Sequence, residues 1–299
     1  MCIFWAAKRW EDYYPDVLLE CSSTYVGMRR VAGCPVATDG VGLMSTLNNT
    51  PPHVSASVTL KNLTISYNRH PAVHHVSGTF AAGSLTAIAG PNGAGKSTLI
   101  KAIASILHPD EGSITIEGAS HEQVAYLPQA TEMQRDFPMS VLHMVCTGFW
   151  HQTHGNRAIT AEMREKAAHA LAEVGLKDYG KCDLVSLSTG QFQRVLFARL
   201  LVQEAHLMLL DEPFTAMDED TAMHLLELIL RWHKQGRTII CVLHDFEQIR
   251  SHFPRCLLLA RECLAWDASE TVLQSEALMH SRFFKGDWQA QTLPCERST

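Results

Sequence analysis

Gly90-Pro91-Asn92-Gly93-Ala94-Gly95-Lys96-Ser97 is the stretch on which the reading of this chain turns. A short apolar run, Leu85–Ala89, precedes it, and a helical pattern over residues 98–107, ended by His108 and Pro109, follows. Strand, glycine-rich turn and helix in that order let consecutive backbone N–H groups point inward at an anion, reinforced by the positive end of the helix. Lys96 is placed to neutralise the β and γ oxygens of a triphosphate and Ser97 to ligate its Mg²⁺. On this reading Gly90, Pro91, Asn92, Gly93, Ala94, Gly95, Lys96, Ser97 and Thr98 all touch the nucleotide.

Working outward, Leu207-Met208-Leu209-Leu210 is a buried strand pattern that ends in Asp211 and Glu212. Two carboxylates at a strand end, with a phosphate loop upstream, suit an ATPase: Asp211 for Mg²⁺, Glu212 to orient or deprotonate the attacking water. Residues 238–243 form a second buried run, and His244 stands at its end. Between the two runs a helix is expected over residues 219–235, stopped at Gly236. Upstream, Val58, Leu60, Leu63, Ile65 and Tyr67 alternate as a strand, residues 113–117 and 124–127 give two more, and Gln129 sits where the last ends. From Gln129 to Ser188 the pattern turns helical: Thr160 caps a segment whose Met163, Ala167, Ala170, Leu171 and Val174 share one face, with Glu162 and Lys166 as an i,i+4 pair. Alternating strands and helices predict an α/β core with a mostly parallel sheet, a small antiparallel β subdomain and an inserted helical subdomain over about residues 130–190.

The chain has 299 residues, a formal net charge of −6 and 46% hydrophobic residues, ordinary for a globular protein. That balance argues against a broad basic face, so nucleic acid is not expected as a partner. Nine cysteines without a CxxC pair suggest neither a zinc cluster nor a disulfide framework. The sixteen histidines lack carboxylate or cysteine companions at ligand spacing, and no transition-metal site is expected among them. The apolar run over residues 141–150 is broken by His143 and is far shorter than the roughly 18 residues a membrane span needs. Residues 1–53 read as an extension, disordered or untranslated, with the functional protein beginning near Met44. The nucleotide-binding domain is expected over residues 54–280 and a tail over 281–299.

Leu187-Ser188-Thr189-Gly190-Gln191, lying between the two nucleotide motifs, makes the resemblance specific. From about Val58 to Leu273 the chain resembles the nucleotide-binding subunit of an ATP-binding cassette (ABC) transporter. That resemblance implies that Ser188, Gly190 and Gln191, ahead of a helix beginning near Phe192, are presented to the γ-phosphate held by a second subunit. It further implies that Tyr67 stacks on adenine, Gln129 senses Mg²⁺ and water, Asp218 links the two sites across a dimer, and His244 holds the γ-phosphate and water with Glu212. Catalysis would then rest on Glu212, His244, Gln129 and Lys96, and the Mg²⁺ of MgATP on Ser97, Gln129 and Asp211. Thr189 departs from the family pattern, which usually has glycine there.

The segment Asp136-Phe137-Pro138-Met139-Ser140-Val141 with Gly148, and Gly190 to Arg199 with Leu210 to Phe214, resemble the ATPases of bacterial importers for zinc, manganese and iron. The implied assembly is a homodimer, or a dimer with a related ATPase subunit, docked on an integral membrane permease at the cytoplasmic face of the inner membrane. A metal-binding solute-binding protein would serve that permease indirectly. The competing readings are the ATPase of a siderophore or haem importer, and a non-hydrolysing regulatory subunit.

Overall fold

The computed structural model describes residues 55–67, 70–129, 133, 137–153 and 157–275. The expected extension over 1–53, the start near Met44 and the tail over 281–299 lie outside the described residues.

The described residues divide into two compact units, one helical, within 137–202, and one α/β, within 55–133 and 203–275. In the α/β unit, strands β1 (Ser57–Tyr67), β2 (His70–Phe80) and β4 (Glu111–Glu117) form an antiparallel sheet ordered β2-β1-β4. Val58, Leu60, Leu63 and Ile65 of β1 are all buried. The step of three between Leu60 and Leu63, odd for a strand of period two, is a bulge: the register shifts there and Asn62 takes φ 47°. An extra residue restores the apolar set to the core face.

The larger sheet runs β5 (Val124–Leu127), β6 (Leu207–Asp211), β7 (Thr238–Val242), β3 (Leu85–Ala89), β8 (Arg255–Ala260), β9 (Glu262–Ala268). All neighbours are parallel except the β8–β9 hairpin. Every residue of β3, β6 and β7 is buried, which is why these strands read as continuous apolar runs and not as alternation. Helices α1 (Lys96–Ile103), α6 (Glu219–Lys234), α7 (Phe246–His252) and α8 (Ser269–Gln274) complete the unit. Leu99, Ile100 and Ile103 of α1 join Leu209, Ile240, Val242 and Leu257 in one core. Each such side chain, fully removed from water, contributes on the order of 1.5–3 kcal/mol.

Helices α2 (Val141–Cys146), α3 (Trp150–Thr153), α4 (Ala161–Glu173) and α5 (Thr189–Leu201) belong to the helical unit, which continues to Val202, past the boundary near residue 190 expected from sequence. Thr160 caps α4 as expected, its Oγ1 accepting from the Met163 N–H, and Glu162 and Lys166 pair at 3.1 Å. Ala167, Ala170, Leu171 and Val174 are buried, with Met163 at the margin. Phe192, Val195, Leu196 and Phe197 bury one side of α5. Of the described cysteines, Cys146, Cys241, Cys256 and Cys263 are free thiols while Cys182 is disulfide-bonded, so a purely thiol inventory is too simple. Among the described residues no helix is long and apolar enough to cross a membrane.

Candidate active site

Parallel strands end on the same edge of a sheet, and the carboxyl ends of β3, β5, β6 and β7 carry Gly90, Gln129, Asp211 with Glu212, and His244. Asp211 is registered opposite Val242, so the residues just beyond β6 and β7 emerge side by side. Adjacency in the sheet, across 32 residues of sequence, brings His244 Nε2 within 2.5 Å of Glu212 Oε1. A carboxylate oxygen accepts, so in this pair the ring nitrogen is the donor. The Thr215 hydroxyl approaches the other oxygen, Oε2, at 3.3 Å. Glu212 itself has φ 48°, a left-handed backbone for a non-glycine residue, immediately before the buried Pro213. Such a conformation costs about 1–3 kcal/mol and persists where the surroundings over-determine it.

The 90–97 loop leaves β3 and enters α1, whose N-cap is Gly95 at φ 89° with no side-chain cap. The first amides of α1 are therefore not covered by a protein side chain acting as a cap, which is the arrangement that receives an anion. Tight packing enforces glycine: a Cβ at Gly90 would stand 2.0 Å from the Leu259 carbonyl oxygen, and one at Gly95 2.1 Å from that of Ala72. Lys96, 6% exposed, donates through Nζ to the carbonyls of Gly90 and Pro91, both at 2.9 Å. Burial pulls its pKa below the usual lysine value, opposed by the nearby charges of Glu212 and Asp211. An ammonium held among neutral carbonyls in a dry site is a strong ligand for phosphate oxygens.

Ser97, the second residue of α1, donates from Oγ to Oδ1 of the buried Asp211 at 3.0 Å. A hydroxyl and a carboxylate side by side are hard oxygen donors of the kind Mg²⁺ selects, so these two residues fit that ion. Gln129, half-buried two residues after β5, lies on the same sheet edge. Thr98 is in the first turn of α1, and Asn92 and Gly93 are exposed on the loop. At the end of β1, Tyr67 is 49% exposed, leaving ring surface for a planar base. Asp218 caps α6, its Oδ1 accepting from the Thr221 N–H and its Oδ2 from the Thr221 hydroxyl, both at 2.9 Å.

Ser188, Gly190 and Gln191 belong to the helical unit. Here the expected helix start near Phe192 is corrected: α5 begins at Thr189, with Ser188 as N-cap. A capping box explains it, since Ser188 Oγ accepts from the Gln191 N–H at 3.2 Å and Gln191 Oε1 accepts from the Ser188 N–H at 2.9 Å. Gln191 Nε2 also donates to the Tyr179 hydroxyl at 3.2 Å. Capping uses only an acceptor lone pair of Ser188, so its O–H keeps its donor capacity. Thr189, in the first turn of α5, has no left-handed backbone that would call for glycine.

Sequence reasoning did not find Thr215 or the hairpin residue Arg261, whose N–H donates to the Ala94 carbonyl at 3.0 Å. Thr215 stands three residues after Glu212 in the turn that follows β6, a closeness in sequence that could have flagged it; nothing local points to Arg261.

Known proteins are similar to this chain over most of its length. A model of the ABC transporter family matches residues 73–215. The manganese transport system ATP-binding protein MntB of Bacillus subtilis is 35% identical over 225 residues, covering 74% of this chain and 90% of that one. The MntB of Listeria monocytogenes is 32% identical over 232 residues, covering 76% and 95%. A dimeric ATP-binding cassette solved in a post-hydrolysis state with ADP and Pi superposes with a TM-score of 0.64 at 24% identity, covering 71% of this chain and 98% of that one, a likeness of fold.

Proposed function

The chain belongs to the ABC transporter family as an ATP-binding subunit with ATPase activity, and we propose that it couples MgATP binding and hydrolysis in a dimer to uptake of a divalent metal ion through a separate permease. The observation that carries the catalytic part is the bond between His244 and Glu212 beside the Lys96 loop. Manganese stands first among manganese, zinc and iron as cargo, because the relatives at 32% and 35% identity are named for manganese transport.

The loop amides and Lys96 bind the β- and γ-phosphates, with adenine stacked on Tyr67. Ser97, Asp211 and Gln129 would hold the Mg²⁺ of MgATP, which would neutralise charge on the phosphate oxygens. Glu212 accepts the proton of a water whose oxygen attacks the γ-phosphorus, and the bond to the bridging oxygen of ADP breaks. His244 fixes the Glu212 carboxylate, and Thr215 steadies its second oxygen. The Ser188 hydroxyl of one copy faces the γ-phosphate bound by the other, so a complete site takes two chains. Asp218 links the paired sites, and ATP-driven closure is passed to the permease near Gln129, at the cytoplasmic face of the membrane.

Glu212→Gln tests this reading. The expected protein binds ATP, dimerises and loses turnover by about 10²–10⁴-fold, measured as phosphate release. Wild-type turnover in that variant overturns the assignment of Glu212. For the cargo, uptake of radioactive manganese by cells carrying the chain with its permease should stop on the same substitution; undiminished uptake refutes the metal reading.

A further inference from the structure

The 90–97 loop is gripped from outside by a turn that none of the nucleotide motifs includes. Arg261 joins β8 to β9 at φ 64°, again a left-handed backbone without glycine. Its N–H donates to the Ala94 carbonyl at 3.0 Å, and its own carbonyl accepts from the His74 N–H of β2 at 2.8 Å. A side-chain clasp closes over the same turn: His74 Nδ1 lies 3.0 Å from Glu262 Oε1. Strand β2, the hairpin turn and the phosphate loop are thus strung on consecutive hydrogen bonds.

Peptide planarity gives this chain of contacts a consequence. The Ala94 carbonyl and the Gly95 N–H belong to one planar trans peptide unit, in which the two groups point in opposite directions. Anchoring the carbonyl outward on Arg261 therefore turns the Gly95 N–H inward, toward the concavity that the loop amides form. Gly95 cannot supply that orientation from its own preferences, because glycine visits left- and right-handed backbone with similar ease. A loop of such freedom needs an external anchor if its amides are to be pre-organised for an anion.

We propose that Arg261, through its backbone, is a positioning residue for the nucleotide phosphates, and that the His74–Glu262 pair is the clasp that keeps its turn in register. The proposal rests on reading residues 90–97 as the triphosphate cradle. Its signature is a change in the Michaelis constant for ATP with kcat at saturation nearly unaltered, since Glu212 and His244 are not touched.

Steady-state phosphate release by full-length variants tests it, with melting temperatures recorded in parallel. Arg261→Val, whose branched side chain resists φ near +64°, is expected to raise KM for ATP about tenfold. Arg261→Gly, which adopts that φ freely, should keep KM within about twofold of the parent. Glu262→Ala and His74→Ala should each raise KM by roughly two- to tenfold, and the double variant by no more than the larger single effect, the mark of a coupled pair. If Arg261→Val does not fold, the Glu262→Ala and His74→Ala pair decides alone. Unchanged KM in Glu262→Ala and His74→Ala, or equal losses in Arg261→Val and Arg261→Gly, overturns the proposal. Lys96→Ala separates the two levels: if that variant binds ATP as the parent does, the cradle reading fails; if it loses ATP while the clasp variants do not, only the positioning role fails.

Discussion

Two loops in this protein open helices and are proposed to meet the same triphosphate, yet they start those helices in opposite ways. Ahead of α1, Gly95 at φ 89° offers no side chain, and the first helical amides are left for a ligand. Ahead of α5, Ser188 and Gln191 satisfy each other in a capping box. A helix N-terminus carries several amides without intrahelical partners, and whatever covers them decides what else they can bind. The α1 start therefore keeps backbone amides uncovered by any capping side chain, as an anion site requires, whereas the Ser188 loop, with its amide at Gln191 engaged, keeps only a hydroxyl donor.

The sharpest way to break this contrast is to put a side chain into the cradle. Gly95→Ala would set a Cβ 2.1 Å from the Ala72 carbonyl oxygen at a backbone angle that L side chains avoid. ATP binding, followed by titration with a fluorescent analogue, is expected to fall at least about a hundredfold, with a loss of stability of roughly 1–3 kcal/mol. Retained affinity would mean that the loop does not need its glycine geometry. Next in size is Ser188→Ala, which removes both the cap and the donor. Turnover should drop about tenfold while ATP binding by the isolated chain persists, and unfolding by urea should reveal a cost of about 1 kcal/mol. Equal loss of binding in the isolated chain would erase the distinction between the loops. Smallest is Thr189→Gly: its helical backbone asks nothing of glycine, so turnover should stay within about twofold, with helix stability lowered by roughly 0.5–1 kcal/mol. A large fall in turnover would show that the threonine hydroxyl takes part in the chemistry.

The same contrast explains what could be read along the chain. Strands β3 and β5 were legible at both ends, and β6 and β7 to within a residue: three of these four, β3, β6 and β7, are buried throughout and announce themselves as unbroken apolar runs. The cradle was legible because its requirements are local, with glycines where backbone approaches closely and lysine and serine at a set distance. The start of α5 was misplaced by three residues because threonine and glycine are poor helix formers, and their weakness hides the capping box that outweighs it. Similarly, the expected helix over residues 98–107 begins at Lys96 and ends at Ile103, since the loop feeds straight into it and Ser105 turns left-handed at φ 58°.

By itself, the order of residues determined which groups could do chemistry: Lys96, Ser97, Asp211, Glu212 and His244 are each marked by a neighbouring strand end or glycine turn, and periodicity separated the α/β part from the helical one. Only tertiary structure decided who meets whom. His244 reaches Glu212 because β7 lies beside β6, and Ser97 reaches Asp211 because β3 and β6 flank the same strand, β7. The bond from Arg261 to Ala94 has the same origin, β8 lying next to β3. Sheet order is set by burying every face of these strands at once, a collective packing term spread over the whole core, and no local spacing encodes it.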